Sequence, residues 1–197
     1  MTNHTALHRC GTWAFALVTT ALLASQVEAA PPAPTHMPAI TYVDQPTLRE
    51  LDTVTWAVKR FVAAGLQLPN LAIAFPAYCE GKGALYNVGE SSLELCRVNR
   101  KNVLHELAHA WDDTSGAVDR AGFMKLRGLD VWFGGLDIPS QEQGCEHLAI
   151  IVAWGLMEPG TGSAHGLPHN SDEQLTVAFR FLTGRGPLGP TSTSGGA

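Results

Sequence analysis

A chain of 197 residues, 45% hydrophobic and 16% charged, is long enough to bury one sizeable core and short for two. A net charge of −5, with no Lys/Arg-rich run, excludes a polyanion-binding surface, so nucleic acid is not an expected partner. No internal period marks a repeat protein.

Residues 1–29 read as an export signal. His4, His8 and Arg9 precede an apolar run from Trp13 to Ala24, and Val27-Glu28-Ala29 offers the small-residue pattern of a signal peptidase site. The run is short for a membrane span and no later stretch is longer, so the expectation is a secreted or periplasmic product with no stable membrane insertion after cleavage. An uncleaved N-terminal anchor is the alternative. Cys10 goes with the signal. Residues 30–45, with Pro31, Pro32, Pro34 and Pro38, read as a stiff, solvated linker.

A single domain is expected over residues 46–185. Pro46 suits a first helical turn, and Leu48, Leu51, Val54, Val58, Phe61 and Val62 recur at helical spacing up to Gly65. The period then changes. Leu71 to Phe75, Ala84 to Val88 and Leu93 to Val98 are strand candidates separated by glycines and serines, and together they predict a small, mainly antiparallel sheet. Cys79 and Cys96 flank a Gly-containing segment and are expected to bridge in an oxidising compartment. Cys145 is left over, a small buried core residue by type.

The next helix, from Arg100 or Lys101 to Asp113, carries His105-Glu106-Leu107-Ala108-His109. Residues four apart share a helical face, so the two imidazoles can converge on one ion. Glu106 lies about 100° round the helix from His105, where its carboxylate can hold a metal-bound water and act as general base. This H-E-L-A-H pattern resembles the zincin metallopeptidases. In that family a sheet precedes the metal helix and its edge strand pairs with extended substrate; the resemblance implies that role for Leu93 to Val98.

A hydrolytic zinc site needs a third protein ligand. The metzincin continuation is excluded, because Asp112 stands where glycine belongs and Ser115 where histidine belongs. An aspartate ligand, as in aspzincins, remains open through Asp112 or Asp113; either can alternatively orient a histidine ring, or sit in a solvated helix end. A glutamate from a second helix, as in gluzincins, is the third possibility. The run Gln143 to Leu156 is strongly apolar apart from Glu146 and His147, and charges are rarely buried without partners. Gly144, Glu146, Ala149, Ala153, Trp154, Gly155 and Leu156 resemble a segment following H-E-L-A-H-A-W-D in small exported bacterial zincin-like proteins, which implies Glu146 as the ligand. Glu142 is the fallback, and a dipole-favoured helix-start carboxylate is the structural alternative. Thermolysin-like gluzincins carry an aspartate four residues after that glutamate; Ile150 stands here, so an orienting carboxylate would come from Asp112 or Asp113.

Between these helices, Val118 to Arg127 reads as a short helix, and Leu129 to Gly135 as a packed loop or, less simply, a cleft wall. Tyr78, Tyr86, His165 and His169 qualify by type as oxyanion-stabilising groups, though none by spacing. Asp172 to Thr183 reads as a last helix and residues 186–197 as a flexible tail. The reading is an α+β domain of minimal zincin-like type. Zn2+ is expected on His105, His109 and Glu146, and Glu106 acts as base on a peptide or protein substrate. A zinc-binding secreted module without peptidase activity is the alternative. Oligomeric state is not legible.

Overall fold

The computed structural model describes residues 37–79, 83–158, 161, 164, 167 and 170–188. The expected signal, most of the proline-rich linker, His165, His169 and residues 189–197 lie outside them.

The architecture is α+β: four short strands, β1 (Ile40–Tyr42), β2 (Leu71–Ala74), β3 (Leu85–Asn87) and β4 (Ser92–Glu94), with five helices. The sheet order is β1-β2-β4-β3. β1 pairs with β2 and β2 with β4 in parallel, and only β3 and β4 are antiparallel, so the expectation of a mainly antiparallel sheet is corrected. The hairpin from β3 to β4 was legible from its Gly and Ser turn; the parallel pairing of β1 with β2 depends on α1 (Leu48–Ala63) crossing between them. β1 itself falls in the expected linker, where Ile40 aligns with Leu71 and Tyr42 with Ile73. β4 is interior and the sheet edges are β1 and β3, so the expectation that Leu93 to Val98 is an edge strand is corrected.

α1 begins at a reciprocal cap, with the Thr47 hydroxyl accepting from the Glu50 amide while the Glu50 carboxylate accepts from the Thr47 amide. It buries Val54, Ala57, Val58 and Phe61. α2 (Arg100–Ser115) starts at Asn99, whose side chain accepts from the Asn102 amide, and ends at Gly116 in the left-handed region (φ 57°). α3 (Arg120–Arg127) is capped by Asp119, and α5 (Asp172–Thr183) by Ser171 with Gln174.

The most extensive packing joins α2 to α4 (Gly144–Leu156). Leu148, Ile151, Val152 and Leu156 of α4 are fully buried, as are Val103, Leu104 and Leu107 of α2. α4 is apolar almost all round because α2, α3 and α5 all pack on it. Both of its ends are tied. The buried Arg60 guanidinium of α1 donates to the Leu156 carbonyl (2.6 Å) and the Met157 carbonyl (3.2 Å), meeting C-terminal carbonyls that the helix leaves open. At the other end the Gly144 amide donates to Val131 O and the Cys145 amide to Trp132 O. Leu188, expected in the tail, donates its amide to Gly155 O and packs on the core. Among the described residues no helix is long and apolar enough to cross a membrane. Cys79 and Cys96 form the expected disulfide and Cys145 is free and buried.

At Gly155 α4 comes close to α5: a Cβ there would overlap the ring of Phe179, which is itself fully buried. Gly155→Ala is expected to destabilise the fold by about 1–3 kcal/mol despite its better helix propensity. Urea unfolding should show a lower midpoint with an unchanged slope; an equal or higher midpoint would contradict this packing.

Candidate metal centre

His105 and His109 project from one face of α2 toward the first turn of α4, where Glu146 stands. Their Nε2 atoms are 3.2 Å apart. His105 Nε2 is 3.3 Å from Glu146 Oε2, and His109 Nε2 is 3.5 Å from Oε1. The three residues form a group that can hold a metal ion.

The triangle is frustrated as a set of hydrogen bonds. If both imidazoles donate from Nε2 to the carboxylate, two N–H groups face each other at 3.2 Å; if one turns its lone pair to the other, a carboxylate contact is left without a proton. A cation at the centre removes the conflict, because all three groups then present lone pairs. For donors about 2.0–2.2 Å from a tetrahedral ion, neighbouring donors stand about 3.4 Å apart, which the measured separations match.

The electrostatics follow from burial and proximity. Burial opposes ionisation of Glu146, but hydrogen bonding and charge from His105 and His109 outweigh it and hold the carboxyl well below the usual carboxylate range. Burial would likewise lower His109, yet Glu146, aided by Glu106 and Asp112, raises it.

Glu106 lines the same cleft, of about 810 Å³, as the three clustered residues. It is only 8% exposed, and among the described residues its carboxylate makes no hydrogen bond or ion pair. No fully enclosed side-chain oxygen lacks a partner, so its oxygens open to the cleft.

The other acidic candidates are occupied elsewhere. Asp112 is buried and held by Arg120, whose Nε donates to Oδ1 (3.2 Å) and Nη2 to Oδ2 (3.1 Å). Burial nevertheless raises its pKa, with Arg120 acting in the opposite sense. Asp113 accepts from the Tyr86 hydroxyl (2.7 Å) and the Gly89 amide (3.0 Å), which ties the β3 hairpin to the end of α2. Neither joins the His/His/Glu group, and neither hydrogen-bonds a histidine ring. Glu142 lies exposed in a short 3-10 turn, Ser140–Glu142, and is also outside the group. Tyr78 is exposed. Tyr86 lines the cleft, but its hydroxyl is engaged by Asp113; burial and that carboxylate push its pKa up.

Three features were not anticipated. Arg120 lines the cleft, clamped to Asp112 and with its guanidinium 5.0 Å above the Trp132 ring. Gln143 is buried and staples the loop before α4, accepting from the Gly134 amide and donating to Gly135 O and Ile138 O. His147 points away from the metal-capable group, with Nε2 2.8 Å from Gln141 O and Nδ1 facing Arg127; burial, and then Arg127, lower its pKa. Arg120 lies on α3, and no spacing rule on α2 marks it in the sequence. Trp132, Phe133 and Gly135, read first as a packed loop, line the cleft, with Phe133 71% exposed.

No family model, curated protein or solved structure matches the chain.

Protein purified without chelator should bind one equivalent of a divalent first-row metal. His105→Ala, His109→Ala or Glu146→Ala should each weaken binding by more than about 100-fold, since even partners outside the coordination shell cost 10–100-fold. Elemental analysis with chelator competition reads this, and binding unchanged by all three would contradict the site. Cys145 borders the cleft, but burial and then Glu146 push its thiol up to about 11. It should resist iodoacetamide at pH 8 until the chain is unfolded; rapid alkylation of the folded protein would contradict that environment.

Proposed function

We propose that the protein is an exported, zinc-dependent peptide-bond hydrolase of gluzincin type, with Glu106 as its general base. The observation that carries the reading is the unpartnered Glu106 carboxylate opening to the same cleft as His105, His109 and Glu146. A glutamate serving only structure would be expected to bond a neighbour, because burying a carboxylate without one is costly. A base, by contrast, needs a free lone pair facing the place where its proton donor will stand.

Two nitrogens and a carboxylate oxygen suit zinc, and three protein ligands leave a fourth position for water or substrate. When bound, zinc would polarise a carbonyl and bring the pKa of water to about 7. His105 and His109 of α2 and Glu146 of α4 would hold the ion between the two packed helices. Glu106 accepts the proton of the attacking water and delivers it to the departing amine, as one carboxylate can do in both directions. No covalent bond to the protein is needed.

Substrate is expected to lie along β3, the edge strand whose residues Leu85 and Tyr86 line the cleft. An extended peptide there gains main-chain hydrogen bonds independent of its sequence. The Cys79–Cys96 disulfide supports an oxidising compartment, in keeping with the apolar N-terminal segment read as an export signal.

Glu106→Gln keeps the shape of the side chain and removes the base. The expected result is zinc bound at one equivalent with peptide cleavage reduced about 100- to 10,000-fold, read by mass spectrometry of a peptide library digest. Cleavage that survives the substitution would refute the mechanism. A wild type that holds zinc and cleaves nothing would favour a zinc-binding module.

A further inference from the structure

Among the described residues lining the cleft, Arg120 is the only Arg or Lys, in the company of Glu106, Asp112, Asp113 and Glu146. It is held unusually firmly for a half-exposed arginine. Nε and Nη2 take both oxygens of Asp112, and Nη2 also reaches the Asp112 carbonyl (3.4 Å). One face of the guanidinium lies over Trp132, which adds a cation–π attraction. Nη1 has no hydrogen-bond partner among the described residues.

The pair is also polarised. The Asp112 side chain is 7% exposed and that of Arg120 46%, so the negative end is buried in the protein and the positive end is open. Asp112 is three residues after His109, and such neighbours on a helix stand about 5–6 Å apart at Cβ. Arg120 is therefore one side chain removed from the metal-capable group.

We propose that Arg120 is a substrate anchor: its outer edge binds a carboxylate of the peptide while the neighbouring amide is presented to the metal-capable group. This rests on the hydrolase reading and narrows its substrates to peptides with a carboxylate close to the cleaved bond. The Nη1 group left over is permanently charged and already immobilised, so it gives a charge-assisted N–H···O bond at little further ordering cost, which a flexible lysine does not. The carboxylate is either the peptide's C-terminus or an Asp or Glu side chain.

The test uses zinc-loaded, disulfide-intact protein and two matched probe pairs. These are N-acetyl-phenylalanine against its amide, and N-acetyl-aspartate amide against N-acetyl-asparagine amide. Calorimetric binding should favour the carboxylate by about tenfold or more in at least one pair, and the pair that shows it identifies the source. In Arg120→Gln/Asp112→Asn, which removes both charges together, that preference should fall to within about threefold with the zinc content unchanged. Arg120→Lys, which keeps the charge and so guards against misfolding of the double variant, should give an intermediate preference.

No preference in either pair, or a preference the substitutions leave intact, overturns the proposal. With cleavable peptides the effect should fall on KM for the carboxylate member; an equal loss of kcat for both members would instead assign Arg120 to the oxyanion and also overturn it. Because binding is measured directly, the absence of peptide cleavage would defeat the hydrolase reading without deciding this one.

Discussion

The packing of α2 against α4 is the constraint on which the rest of the molecule depends. It brings two imidazoles from one helix and a carboxylate from another to within 3.5 Å, an arrangement their own hydrogen-bonding capacity cannot fully satisfy. Such a contact persists because the surrounding apolar surfaces fix it. Leu104, Leu107, Leu148 and Ile151 are fully buried along the two helices, and each large apolar side chain contributes about 1.5–3 kcal/mol by leaving water. Small residues along the pair, among them Ala108 and Ala149, are fully buried as well.

The remainder of the fold serves to immobilise α4. Arg60 bonds the carbonyls at its C-terminus, while Gln143 and two backbone bonds from the 131–132 segment secure its start, one turn from Glu146. The acidic groups at the end of α2 are compensated separately, Asp112 by Arg120 and Asp113 by Tyr86 and Gly89. That leaves Glu106 as the cleft carboxylate without a hydrogen-bond or ion-pair partner among the described residues, a division of labour among charges that gives the proposed base its opening.

The helices were legible because their signals are local: apolar residues at helical spacing, with Pro46 at the start of the first helix and Gly65 after its end. β1 was not, since three residues following a proline-rich stretch become a strand only through alignment with β2, which α1 must first bring alongside. The parallel pairing of β2 with β4 was hidden because β4 lies between β2 and β3 in the sheet although β3 precedes it in the chain, and the same order makes β4 interior. At the site, His105, Glu106 and His109 were evident from spacing alone. Glu146 stood out as a charge in an apolar helix and was preferred on the resemblance; the structure adds that Asp112 and Asp113 are held by other partners. Arg120 and Tyr86 come from other elements, and no spacing rule on α2 reveals them.

X-ray absorption at the zinc edge tests the central claim most directly, because it counts the donors around the ion without reference to any activity. The account predicts four nitrogen or oxygen neighbours at about 2.0–2.2 Å, two of them with imidazole scattering, and the loss of both imidazole contributions when His105 and His109 are replaced together. A sulfur neighbour at about 2.3 Å, which would bring in Cys145, or an ion whose imidazole scattering survives that double replacement, would contradict it.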